Sequence, residues 1–157
     1  MKKFTFSPRT TIKPDSSFAR VLADFNINLS DDASLALVGD VFFSPNVYIR
    51  GICSIGNNTK VDTGSILDNC KICDNCHIRP YSLIYNSTIG RSNLVGPFAF
   101  IRDESKSLES CILGAHVEIA RSIIGSDVKI SHQSYVGDVT IGHHTIIGSG
   151  TVFCNFD

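Results

Sequence analysis

From Glu118 to Asp157 the aliphatic residues keep a beat that neither a helix nor a lone strand produces. They stand at Ile119, Ile124, Ile130, Val136, Ile141 and Ile147, with Phe153 in the same register. The spacings are 5, 6, 6, 5, 6 and 6, and glycine follows at Gly125, Gly137, Gly142 and Gly148. A helix would repeat at 3.6 residues and a half-buried strand at two. A hexapeptide beat predicts instead a left-handed parallel β-helix, in which three short flat sides make one triangular coil. The beat extends upstream through Val38, Phe43, Ile49, Ile55, Val61, Leu67, Ile72, Ile78, Ile84, Ile89, Val95 and Ile101, then Ser107 and Leu113. Ile55 to Ile72, Ile72 to Ile89 and Ile124 to Ile141 are each 17 residues, one coil. An antiparallel sandwich would need turn signals between alternating strands, and they are missing. The fold class expected is all-β.

The expected organisation has two parts. Residues 1–36 form an N-terminal arm and capping helix, and residues 37–157 form the β-helix. The first 14 residues are polar with two prolines and read as an extended arm. Asp15-Ser16-Ser17 then precedes Phe18, Val21, Leu22 and Phe25, a helical stripe behind N-cap residues. Such a helix would keep water from the first coil, and NINLSDDAS would link the two parts. Ser107 is a poor inward residue after the polar RDESKS, so residues 102–107 are expected to bulge outward. No capping element precedes Asp157, so the β-helix is expected to be incomplete at its C-terminal end or covered by something outside the chain.

Composition narrows the function. The 157 residues carry a formal charge of −1, which gives no basic footprint for nucleic acid or an anionic membrane. The two lysines of the start have no apolar run behind them, and no stretch approaches the ~18 apolar residues of a membrane span. A cytoplasmic location is expected. Six cysteines raise the question of metal, and Cys70-x-x-Cys73-x-x-Cys76 resembles a ligand triplet. The register accounts for several of them. Cys53, Cys76 and Cys111 fall four residues after inward positions, where Thr59, Ser65, Ser82, Ala99, Ser105, Ser134, Thr140, Thr145 and Thr151 also fall. There cysteine acts as a small buried residue. No metal is expected.

Five segments carry a family resemblance: IRPYSLI (78–84), VGPFAFIR (95–102), HVEIARSIIG (116–125), SHQSYVGDVTIG (131–142) and GSGTVFCNFD (148–157). Together they resemble the acetyltransferase half of the bifunctional N-acetylglucosamine-1-phosphate uridylyltransferase/glucosamine-1-phosphate acetyltransferases. The glycine-rich nucleotide loop of the other half is absent, so uridylyl transfer is not expected. The resemblance implies a homotrimer with active sites between subunits, acetyl-CoA as co-substrate and a sugar-phosphate acceptor. It implies His132 as the base, Glu118 as its polarising partner and the backbone N–H of Ser149 as the oxyanion donor. It places Arg102 on the sugar's phosphate, Tyr135 on the sugar, and Asn155 on both substrate and cofactor, with Ser149 also touching the cofactor.

That chemistry is coherent. An amine must lose a proton to attack a thioester, an imidazole can accept one, a turn N–H can hold the oxyanion, and an arginine fork matches phosphate. The chain departs from the family at Ala120, Ile146 and Phe156, and lacks the downstream lysine and the coils that hold most of acetyl-CoA. A second reading therefore stands beside the enzyme: a catalytically inactive or truncated β-helix serving in trimerisation or regulation. A zinc β-helix enzyme is a third reading, but it needs a His-x4-His pair, and the residue five after His116 is Arg121. His143-His144 reads as a surface turn.

Overall fold

The computed structural model describes residues 1–155, with the backbone alone for residues 7–9. Its frame is a parallel β-solenoid whose coils lay short strands on three sides. Two sides are the arms of one fourteen-stranded sheet, joined through a long strand, and the third is a seven-stranded sheet. The 17-residue repeat is the physical register. Ile55 pairs with Ile72, Ile72 with Ile89, and Ile124 with Ile141 on neighbouring coils. Ile49, Ile55, Val61, Leu67, Ile72, Ile78, Ile84, Ile89, Val95 and Ile101 are each at most 1 % exposed. This continuous apolar column is the driving force for the fold, at roughly 25 cal/mol per Å² of apolar surface buried.

The N-terminal end differs in detail from the expectation. Strand β1 (Lys2–Ile12) is not a free arm: it runs antiparallel along β3 (Ser34–Phe43), from Lys2 opposite Phe43 to Ile12 opposite Leu35. The alternation Phe4, Phe6 is the strand signal, and both rings are buried. Helix α1 (Ser17–Ala23) starts at Ser16, whose hydroxyl accepts the Ala19 N–H at 3.1 Å. Phe18 of α1 meets Phe6 at 5.2 Å and Phe4 at 5.9 Å, and Phe4 meets Phe43 at 6.1 Å, so an aromatic cluster closes the first coil. Parallel pairing begins before Leu37. β2 (Ile27–Leu29), inside the expected linker, pairs with Val47–Arg50, and β3 pairs with Ile52–Ile55. Leu37 is fully buried while Val38 is 39 % exposed, so the inward residue is Leu37.

Residues 102–107 do not bulge out of the solenoid. Lys106–Ser107 is a strand, with Ser107 in register between Ile89 and Ile124. Ser107 is tolerated inside because buried Asn93 donates its amide N–H to the serine hydroxyl at 2.8 Å. This coil has one extra residue, Ile101 to Ile119 being 18 positions. The corner absorbs it with two consecutive left-handed residues, Asp103 (φ 55°) and Glu104 (φ 61°). Thr140 also departs from its expected inward place. The side from Val136 to Ile141 is five residues long, so Val139 packs on the core and Thr140 is exposed.

Candidate functional site

The outer surface of the seven-stranded sheet carries two rows. Leu83, Phe100, Glu118 and Tyr135 stack in one, with Val152 bridging beyond Tyr135; Tyr85, Arg102, Ala120 and Gly137 stack in the other. The inward residues between the rows, Ile84, Ile101, Ile119 and Val136, fix the height of each coil. Arg102, Glu118 and Tyr135 therefore share one face, as the register requires. Arg102 donates to Glu118 from Nε (2.8 Å) and Nη2 (2.7 Å), and also pairs with Asp103. Glu118 and then Asp103 raise the guanidinium's pKa, against the effect of burial. Tyr135 Oη accepts from the Asn155 amide at 3.1 Å.

Three further charges complete this surface and are not among the expected site residues. Arg121 grips Asp138 with Nε at 2.6 Å and Nη2 at 2.8 Å, and reaches Asp103 at 3.2 Å. Asn155 bonds Asp138 as well as Tyr135. Arg121, then Asn155, holds the Asp138 carboxyl down at about 2. The signal was present in the sequence, since opposite charges 17 residues apart face each other on adjacent coils. Gly137 leaves room for this arrangement: a Cβ there would lie 2.5 Å from Tyr135 Oη and 2.7 Å from the Asn155 amide nitrogen.

His132 and Ser149 lie on the adjoining corner, one coil apart. His132 is exposed, and its Nδ1 accepts the Ala115 N–H at 3.1 Å. The same device recurs. Asn57 Oδ1 accepts the Asp40 N–H at 2.7 Å, Asp74 Oδ1 the Asn57 N–H at 2.9 Å, and His143 Nδ1 the Ser126 N–H at 2.9 Å. In each case the donor is 17 residues earlier, and a glycine precedes it at Gly39, Gly56, Gly114 and Gly125. A corner side chain thus satisfies a backbone N–H that the turn leaves unpaired. Beside this corner, His116, Glu118, Gln133, Ser134, Tyr135 and Val152 line a shallow cleft of about 390 Å³. Among the described residues no hydrogen bond joins His132 to Glu118, whose carboxylate is held by Arg102. The backbone N–H of Ser149 has no partner among them either.

Comparison with known proteins agrees with this architecture. The family described as GMPPB C-terminal domain matches residues 37–124, and that described as bacterial transferase hexapeptide (six repeats) matches residues 121–155. The chain belongs to the GMPPB C-terminal domain family of hexapeptide-repeat proteins. The chain is also 43 % identical over 118 residues to the bifunctional protein GlmU of Baumannia cicadellinicola subsp. Homalodisca coagulata, covering 75 % of this chain and 25 % of that one. For GlmU of Synechococcus sp. (strain CC9311) the identity is 38 % over 130 residues, covering 82 % and 28 %. The chain thus spans about a quarter of the length of these relatives. A solved UDP-N-acetylglucosamine acyltransferase of Francisella novicida matches 81 % of this chain and 58 % of its own at 16 % identity and a TM-score of 0.41.

In this hexapeptide protein the thiols follow the coil. Cys53, Cys70, Cys76 and Cys111 are buried and Cys73 is half-buried, while Cys154 is exposed. Burial pushes the Cys76 thiol up to about 12 and raises Cys111. The Cys76 and Cys111 sulfurs reach the Gly90 and Gly125 carbonyls at 2.9 and 3.0 Å. No group of three metal-binding side chains converges among the described residues. Of the family departures, Ala120 is fully buried within its row between Arg102 and Gly137 and Ile146 is 73 % exposed, whereas Phe156 and Asp157 lie outside the described residues.

Proposed function

We propose that this protein is an acetyltransferase, moving the acetyl group of acetyl-CoA to the nitrogen of an amino-sugar phosphate of the glucosamine-1-phosphate type. The observation that carries the reading is the gathering of six expected site residues on one edge. Arg102, Glu118, Tyr135 and Asn155 sit on one face, and His132 and Ser149 on the corner beside it. In this reading the Ser149 N–H would hold the oxyanion, and Asn155 and Ser149 would also meet the cofactor. Arg102 would reach the acceptor's phosphate by exchanging one of its two carboxylates for it. Tyr135 would pack on the sugar. In this reading the chain works in the cytoplasm as a homotrimer, with neighbouring subunits closing the shallow cleft. No helix among the described residues is long and apolar enough to cross a membrane.

The test is thiol release from acetyl-CoA with glucosamine-1-phosphate, wild type against His132→Ala, alongside light scattering. Acceptor-dependent release that is lost in His132→Ala supports the reading. A folded trimer that neither binds nor cleaves acetyl-CoA overturns it. One observation favours a second reading, a β-helix that serves in assembly or regulation. The longest family match, over residues 37–124, carries the description of a C-terminal domain rather than of a transferase.

A further inference from the structure

Two of the six thiols stand apart from the rest. Cys53 and Cys70 hold the same position on neighbouring coils, since Ser54 pairs with Lys71 and its N–H donates to the Cys70 carbonyl at 3.0 Å. Their sulfurs lie 3.9 Å apart. No other coil repeats the contact, because Leu35 precedes Cys53 in this column and Ser87, Ser105 and Ser122 follow Cys70. Cys76 and Cys111 each meet a backbone carbonyl instead. The bond between the two sulfurs makes them unequal. The Cys70 S–H favours the Cys53 thiolate, and the same bond together with burial holds the Cys70 thiol up. Both side chains line an open cleft of about 540 Å³, beside Ser54, Lys71 and Lys106. The cleft has room for a peroxide, which is little larger than water.

We propose that Cys53 and Cys70 form a redox site, which a hydroperoxide oxidises to a reversible disulfide between neighbouring coils. The site goes beyond the acyl-transfer reading and does not depend on it. Strands of one sheet run about 4.8 Å apart, inside the roughly 4.4–6.8 Å that the Cα atoms of a disulfide span. The sulfurs must close from 3.9 Å to about 2 Å, a movement of about 1 Å each. The Cys53 thiolate attacks one peroxide oxygen, so an S–O bond forms and the O–O bond breaks. The leaving alkoxide takes up the proton that Cys53 had lost, and Cys53 is left as a sulfenic acid. The Cys70 sulfur then attacks the Cys53 sulfur. The S–S bond forms, the S–O bond breaks, and the hydroxide leaves as water with the Cys70 proton. Two thiols and one hydroperoxide thus give a disulfide, an alcohol and water, the two sulfurs losing two electrons in all. A thiol reductant reverses the change, as it does for the transient disulfides of reducing compartments.

Tryptic peptides read the product directly. Cleavage after Arg50, Lys60 and Lys71 leaves Cys53 alone on residues 51–60 and Cys70 alone on residues 61–71. The folded, reduced chain is treated with hydrogen peroxide, blocked with iodoacetamide and digested without reductant. The expected product is these two peptides linked, two hydrogens lighter than their sum, and separated again by dithiothreitol. Recovery of both as blocked thiols once the exposed Cys154 is oxidised overturns the proposal, and so does linkage of either to another cysteine. Two variants test the order of the steps. Serine holds the same place, buried, on the next three coils, so Cys53→Ser and Cys70→Ser should both fold. Cys70→Ser should stop at a Cys53 sulfenic acid that dimedone traps, while Cys53→Ser should keep Cys70 as an unreacted thiol. A Cys70→Ser chain with no trapped sulfenic acid on Cys53 overturns the proposed route. The urea midpoint of wild type should rise on oxidation and fall back with dithiothreitol, and that of Cys53→Ser should not move. An equal rise in Cys53→Ser would place the oxidation elsewhere and overturn the site.

Discussion

Two corners of the solenoid do the same structural work with different chemistry. At one, Asn57 and Asp74 accept backbone N–H groups from the coil behind them; at the other, His132 accepts one from Ala115. Each corner then turns through a left-handed residue, Asn58 and Asn75 in the first case and Gln133 in the second. Two residues after the cap the chain points inward, at Thr59, Cys76 and Ser134, all buried. The backbone cannot tell these corners apart. The difference lies in the cap itself: an amide or carboxylate ends its usefulness with the hydrogen bond, while an imidazole, at His132 and at His143 further along the first corner, keeps a second nitrogen. A solenoid can thus gain a reactive group at a capping position without altering its frame.

The glycines under the caps should separate the corners most strongly. A Cβ on Gly56 would lie 2.3 Å from Asp74 Oδ1 and 2.7 Å from the Asp74 backbone nitrogen, so the next coil itself must move. On Gly114 the nearest atoms are the Ile130 carbonyl oxygen at 2.9 Å and, at 3.2 Å, the Ser131 backbone and the movable His132 ring, so the next coil needs a smaller shift. Gly56→Ala is expected to cost about 2–3 kcal/mol and Gly114→Ala about 1 kcal/mol, the range of overpacking effects. Urea unfolding of both variants reads the difference. Equal losses would show that the ring is held as rigidly as the backbone. Removing a cap is the smaller insult: Asn57→Ala strands the Asp40 N–H at a partly open corner and should cost about 1 kcal/mol.

How far these corners were legible in the sequence follows from the same register. The apolar beat located the coils because the inward column is apolar almost throughout, and Ile119, Ile124 and Ile130 are in their expected places. It misplaced Val38 because the first coil is one residue longer than the repeat: Leu37 pairs with Ile55, so counting 17 back from Ile55 lands on Val38 instead. The expected bulge at 102–107 failed because Asn93 satisfies Ser107 from the coil before, a partnership that no local pattern announces. For the site, the residues were legible by resemblance, but their partners were not. Glu118 was read with His132, whereas Arg102 lies beside it on the same face and carries a full charge. The Asp103–Arg121–Asp138 chain escaped notice because its members are remote in sequence and adjacent only after coiling.

The charged face gives the comparison a pH dimension. Asp138 has its folded pKa depressed to about 2 by Arg121 and then by Asn155. A depressed carboxylate contributes stability above its unfolded pKa, near 4, and loses it as pH falls through the folded value. Wild type should therefore shed this contribution between about pH 4 and pH 2. Arg121, raised by the same partner, stays charged throughout. Because the pair is exposed, the effect is small and screened by salt. Asp138→Asn should flatten the acid limb of the unfolding midpoint, and Asn57→Ala should leave it unchanged. An Asp138→Asn acid limb identical to wild type would mean that the pair persists equally in the unfolded chain.

The smallest effect concerns the inward side of the corners, where chemistry should be silent. Cys76 follows the Asp74 cap in the place that Ser134 takes after His132. Its thiol is 1 % exposed, bonded to the Gly90 carbonyl and pushed up to about 12 by burial, so at pH 8 almost none of it is thiolate. Cys154 is exposed. A thiol-specific reagent at pH 8 should label Cys154 within the mixing time of a bench assay and Cys76 only as fast as the coil opens. The protection ratio then measures local opening of the corner, and it can be compared with that of a Ser134→Cys variant on the His132 side. Equal ratios would mean that the reactive corner is as closed inside as the silent one, confining the difference between them to the second nitrogen of His132. Faster labelling at residue 134 would show that the chemical corner also breathes, and that its chemistry comes with a looser frame.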